Sequence, residues 1–138
     1  MTNMMRRNDL EKLEEEYPEV KQMTFNNVGF DYLMDNSFGI PVTIEYKFRS
    51  RGVKYDITSA QVKGADIFTL RTHEDKHYHM LASTYLNLSK PHSALASGWT
   101  GKERELSQKE FIKNATTDLR GLVEQVKNEN GNLMDFFN

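Results

Sequence analysis

Val42-Thr43-Ile44-Glu45-Tyr46-Lys47-Phe48-Arg49 and Val53-Lys54-Tyr55-Asp56-Ile57-Thr58-Ser59 decide the fold class. In both stretches apolar and polar side chains alternate. A period of two sends successive side chains to opposite faces of a strand. Ser50-Arg51-Gly52 has turn chemistry, so the pair reads as an antiparallel hairpin with one apolar face and one wet, cation-rich face.

Upstream, Leu10, Leu13 and Tyr17 recur at helical spacing behind Asn8 and Glu11, a capping pair. Pro18 ends or kinks this short N-terminal helix. Thr24 to Leu33 is weakly strand-like, and Met34 to Gly39 carries turn residues. Downstream, Ile67 to Thr72 is a strand, His73 to Lys76 a turn, and His77 to Leu86 the returning strand. From Asn87 to Glu105 periodicity dissolves into a long loop that contains Trp99. Ser107-Gln108-Lys109-Glu110 is a capping box, with Leu106 and Phe111 placed as its hydrophobic staple. Phe111, Ile112, Ala115, Leu119, Leu122, Val123 and Val126 then share one helical face. Gly121 lies within that helix at a cost of about 1 kcal/mol relative to alanine. Its presence suggests close approach to a neighbour. Asn130-Gly131 is the stop signal.

These elements define an α+β fold. An antiparallel sheet of four to five strands is packed on one face by the C-terminal amphipathic helix, with a short N-terminal helix beside it. The other sheet face is wet or used for binding. The 138 residues suit a single domain, with a flexible N-terminus (1–7), a long loop (87–105) and an apolar tail (132–138). A hydrophobic fraction of 38% is lean, and fifteen aromatics compensate because each buries a large area.

Composition also bounds function. Without cysteine there is no thiol nucleophile, disulfide or cysteine-type zinc site. Such a chain suits a reducing, cytoplasmic setting. Arg6 and Arg7 precede no apolar run, so no signal peptide is expected. No stretch is apolar enough to span a bilayer. The net charge of −2 gives no overall attraction to polyanions. Charge is segregated, however. Glu11, Glu14, Glu15, Glu16 and Glu19 form an acidic block that reads as a solvated helix face.

Four constellations could carry function. Trp99, Leu133, Met134, Phe136 and Phe137 are candidate interface residues. Each tail side chain would contribute roughly 1.5–3 kcal/mol if buried. They either fold back onto the domain or a second copy, or dock into a partner. Lys47, Arg49, Arg51 and Lys54 could bind nucleic-acid phosphates, or could defend a sheet edge against unwanted pairing. His73, His77 and His79 lie within seven residues, and two imidazoles on one strand face could share a metal. Their spacing matches no established metal motif. Gly98-Trp99-Thr100-Gly101-Lys102 lacks the first glycine of a phosphate-binding loop and reads as a turn. No nucleophile elbow or H-E-x-x-H helix is present.

The first expectation is therefore a small intracellular, non-enzymatic binding protein: an adaptor, inhibitor or assembly subunit that needs no cofactor. Its partner would be another protein or a second copy, with no membrane. Nucleic-acid binding through the basic hairpin and a metal-dependent activity at the histidines are the alternatives.

Overall fold

The computed structural model describes residues 12–22, 31–49, 54–57, 64–91 and 104–126. Among the described residues it is an α+β structure with two sheets. The first contains β1 (Lys21–Gln22), β2 (Tyr32–Asp35), β3 (Pro41–Arg49), β5 (Ile67–Thr72) and β6 (His77–Leu81) in the order β1-β2-β3-β5-β6. The second contains β4 (Lys54–Ile57), β8 (Arg104–Ser107) and β7 (Lys90–Pro91) in the order β4-β8-β7. The helices are a segment at 12–16, α1 (Ala82–Leu88), α2 (Gln108–Asn114) and α3 (Leu119–Gln125).

The alternation of β3 and β4 is real, but the two strands do not form a hairpin. β3 pairs antiparallel with β2 and parallel with β5, whereas β4 pairs with β8. Periodicity reports which residues share a face, and it does not report which strand lies alongside. β3 directs Val42, Ile44 and Tyr46 into one core, and β4 directs Tyr55 and Ile57 into another. The parallel register is pinned at its start, where Thr43 N–H donates to Asp66 Oδ2 at 3.0 Å and Ile44 faces Ile67.

The first core lies on the even-numbered face of β3. Leu13, Tyr17 and Val20 of the N-terminal segment cover it together with Leu119, Leu122, Val123 and Val126. The second core lies on the opposite face, between Phe68 and Leu70 of β5 and Tyr55, Tyr85, Leu106 and Phe111. The aromatics interlock there: Tyr55 stacks on Phe111 with centroids 4.6 Å apart, and Phe68 meets Tyr85 edge-on at 4.9 Å. The face of β3 expected to be wet is therefore covered. Glu45 is only 3% exposed and Lys47 9%. Their ionic groups lie 3.7 Å apart, which meets the need of a buried charge for a partner.

The C-terminal helix divides in two. Ser107 caps α2 as its sequence predicts, its Oγ accepting from Glu110 N–H at 3.1 Å. The helix then stops at Asn114, because Thr116 exchanges backbone hydrogen bonds with His79 on the edge of β6. Asp118 caps a new helix by accepting from Gly121 N–H at 3.1 Å. A side chain at Gly121 would collide with that carboxylate, so the glycine makes room for a cap rather than for a neighbouring element. The apolar stripe is accordingly shared: Phe111 enters the second core, while Leu119, Leu122 and Val123 enter the first.

Two further boundaries differ from the pattern. The strand after the β5–β6 turn ends at Leu81, and α1 follows, burying Tyr85. Crowded apolar residues there mark helical spacing, not a strand covered on both sides. The stretch 87–105 is not all loop: it includes the end of α1, β7 and the first residues of β8, while 92–103 lies outside the described residues. Residues 1–7, Asn8 and the tail 132–138 also lie outside them.

Ser107→Ala is expected to cost about 1 kcal/mol through loss of the cap. Phe111→Ala is expected to cost about 3–5 kcal/mol by emptying the second core. Urea unfolding reads both, and equal losses would contradict this division of roles.

Candidate functional site

The β2–β3 turn carries the most exposed large apolar side chain among the described residues, Phe38, which is 60% exposed. Local chemistry fixes its backbone. Asn36 Oδ1 accepts from Phe38 N–H at 3.0 Å and from Ile40 N–H at 3.1 Å. This is the Asx-type bonding that makes asparagine a turn residue. Gly39 supplies a left-handed conformation at φ 74°, which an L side chain rarely adopts.

The turn is also clamped to α3. Ser37 donates from its backbone N–H to Glu124 Oε1 at 3.0 Å and from Oγ to Glu124 Oε2 at 2.7 Å. Asn36 Nδ2 donates to the carbonyl oxygen of Val123 at 3.4 Å. Both carboxylate oxygens of Glu124 are thus occupied, and the helix end serves as a buttress. The result is a rigid turn that displays one phenyl ring to solvent. Preorganisation of this kind lowers the entropy cost of docking an anchor residue.

A second arrangement links the N-terminal segment to the first sheet. Glu16 Oε2 lies 2.6 Å from His77 Nδ1, and His77 Nε2 lies 2.8 Å from the hydroxyl of Tyr46. Glu16 and Tyr46 thus engage the two ring nitrogens of His77 from opposite ends. Carboxylate, imidazole and hydroxyl follow the order used to activate a nucleophile. Here, however, Tyr46 is buried. An open cleft of about 350 Å³ adjoins the chain, lined by Lys12, Glu15, Glu16, Asp75 and His77. The cleft reaches the imidazole and the carboxylate, and Tyr46 is not among its lining residues. The bonds therefore fasten the segment 12–16 to the sheet and fix the ring of His77.

The three histidines have different fates. His77 and His79 share a face with ring centroids 6.2 Å apart, as strand alternation requires. His73 is exposed in the turn beside Glu74. His77 uses both ring nitrogens on Glu16 and Tyr46. His79 Nδ1 meets Thr69 Oγ1 at 2.7 Å, and its buried Nε2 has no hydrogen-bond partner. Burial, with a smaller effect from neighbouring His77, pushes the His79 pKa down to about 3. Among the described residues no group of three or more His, Asp and Glu side chains is gathered as a metal would need.

The basic residues are likewise dispersed. Lys47 lies between the layers beside Glu45. Lys54 contacts Glu105 at 2.9 Å, and that hydrogen bond raises its pKa. Glu105 is itself buried and also lies 3.6 Å from Lys90. Arg49 closes β3, while Arg51 lies outside the described residues, as do Trp99, Leu133, Met134, Phe136 and Phe137.

No protein-family model matches the chain, and no match is found among curated proteins. No described helix is long and apolar enough to cross a membrane.

Sequence reasoning missed Phe38 and the chain Glu16–His77–Tyr46. The first had a signal, since a phenylalanine amid Asp35, Asn36, Ser37 and Gly39 is out of place in a turn. The second had none, because its three members come from distant segments. Tyr46→Phe would leave His77 Nε2 without its partner inside the fold. The expected loss is about 1–3 kcal/mol in equilibrium unfolding. A change below about 0.5 kcal/mol, the range of neutral surface substitutions, would mean that this bond does not hold the His77 ring.

Proposed function

We propose that this protein is a small non-enzymatic binding module that acts by docking another protein, as an adaptor, inhibitor or assembly subunit. One observation carries the reading: Phe38 stands exposed on a turn whose every bend is fixed by Asn36, Gly39 and Glu124. A lone exposed apolar residue needs no explanation, but one on a turn fastened by this many hydrogen bonds is supported as an anchor. Glu124, bonded to Ser37 beside it, supplies a negative charge that would orient a partner bearing cations. The chain leaves α3 two residues after Glu124, so the apolar residues Leu133, Met134, Phe136 and Phe137 follow closely in sequence from the buttress of the turn. They and Trp99 are the further apolar positions of the proposed interface. A chain without cysteine suits work in the reducing cytoplasm.

Affinity purification from the native host tests this, using the full chain, Phe38→Ser and a deletion of 132–138, each with and without nuclease. The reading expects a protein partner that survives nuclease. Phe38→Ser should weaken its capture by roughly 30-fold in affinity, the effect of losing about 2 kcal/mol at an anchor. The melting temperature should hardly move, since Phe38 is exposed. Capture that vanishes with nuclease would replace the proposal with nucleic-acid binding. Capture and oligomeric state unchanged in both variants would overturn it.

A further inference from the structure

We propose that His79 is an acid-sensitive pin: while neutral it holds the segment 12–22 against the first sheet, and on protonation that segment comes away before the rest of the fold.

The geometry around His79 supports the pin. Its ring is fully buried on the edge strand β6. From β5, Thr69 Oγ1 takes up Nδ1; from the N-terminal segment, the ring of Tyr17 covers it edge-on at 5.9 Å. From the 115–118 connection, Thr116 bonds its backbone at 2.8 and 2.9 Å. Among the described residues Nε2 meets no hydrogen-bond partner. A neutral imidazole tolerates this place. A protonated one would hold an undonated N–H and a charge at a fully buried position, which is among the costlier things to bury.

The surrounding charges offer no relief. His77 shares the His79 face of β6, with ring centroids 6.2 Å apart, and a proton there repels one on His79. Glu16 spends its close contact on His77 Nδ1. Tyr17 is the titratable group on the covering segment, and its pKa is raised chiefly by burial, so it stays a neutral phenol. Behind Tyr17, the Arg120 guanidinium sits 4.9 Å from the ring centroid and is itself bonded to Glu19. Asp118, at the start of α3, caps Gly121. Among the described residues no carboxylate touches His79.

Opening is cheapest at the N-terminal segment. β5 is laddered on both sides, by β3 and β6. The segment 12–22 is tied by the two residue pairs of β1 with β2, the hydroxyl of Tyr17, the contact of Glu16 with His77, the ion pair of Glu19 with Arg120 and the burial of Leu13, Tyr17 and Val20 in the first core. Regions with few backbone ties open locally at lower free energy than the global transition.

The sign follows from linkage. Freed from the joint, His79 recovers an ordinary pKa of 6.5, whereas in place it is held down to about 3. Below 6.5 the open form binds a proton that the closed form refuses, so falling pH favours opening. The opening constant should rise roughly 25-fold between pH 7 and pH 5. That window lies above the ordinary carboxylate range, and the hydrogen bond from Arg120 lowers the Glu19 pKa further, so the Glu19–Arg120 pair stays intact.

Hydrogen exchange of the full chain, corrected for the intrinsic pH dependence of amide exchange, measures this directly. The amides of 12–22 should show the rise, those of β5 should not, and His79→Asn should flatten the response. Equal acceleration in β5, or an undiminished rise in His79→Asn, would overturn the proposal. Should the variant not fold, the ring resonances of His79 in the unaltered protein decide: no titration down to pH 5 supports the pin, and a midpoint near 6.5 in the folded state refutes it.

Discussion

The hydroxyl of Tyr55 lies 3.2 Å from the carbonyl oxygens of both Glu45 and Thr69, and with that contact one sheet is laid upon the other. Glu45 belongs to β3 and Thr69 to β5, so β4 reaches across the parallel pair at the centre of the first sheet. Tyr55 is fully buried, and its own carbonyl oxygen accepts the hydroxyl of Tyr85. Burial pushes the Tyr85 phenol well above its ordinary value, which keeps it a donor. The ammonium of Lys47 rests 5.8 Å from the centroid of the Tyr55 ring. One tyrosine thus accounts for the covering of the second face, the seating of α1 and the burial of a lysine that its strand would otherwise present to water.

That contact also separates what the sequence reveals from what it hides. Alternation in Val42–Arg49 correctly assigns Ile44 and Tyr46 to a core, and the Ser107 box correctly starts a helix with Leu106 and Phe111 both buried. Ile67–Thr72 appears at its expected limits. These are local properties, set by side-chain period and by backbone groups a few residues apart. Pairing is not local. The choice of β5 and β8 over a hairpin depends on contacts between residues far apart in sequence. The break at Asn114 likewise depends on an edge strand that begins 37 residues earlier, at His77. Thr43, Glu45 and Lys47 are polar, so the pattern places them in water, and only a second layer with its own ion pairs reverses that reading.

The candidate site was legible in the same measure. Asp35, Asn36, Ser37 and Gly39 announce a turn, yet their sequence gives no hint that Glu124 grips it from 87 residues away. The buttress makes the turn more than a connection, since Phe38 is presented on a backbone with little freedom left to lose. Buried polar groups elsewhere serve the fold. Arg71 bonds Asp75 at 2.7 Å and holds its carboxyl below the usual range. Arg104 closes the end of α1 through the carbonyl oxygens of Leu86 and Ser89. Charges committed to the interior in this way are held by geometry.

The two-layer account is tested most directly by amine labelling of the native protein, followed by peptide mapping. Lys47 should react far more slowly than Lys90, which is 76% exposed at the side chain, and should catch up only once the protein is unfolded. Lys47 labelled as fast as Lys90 in the native state would mean that β4 does not lie across β3, and the second layer would be lost with it.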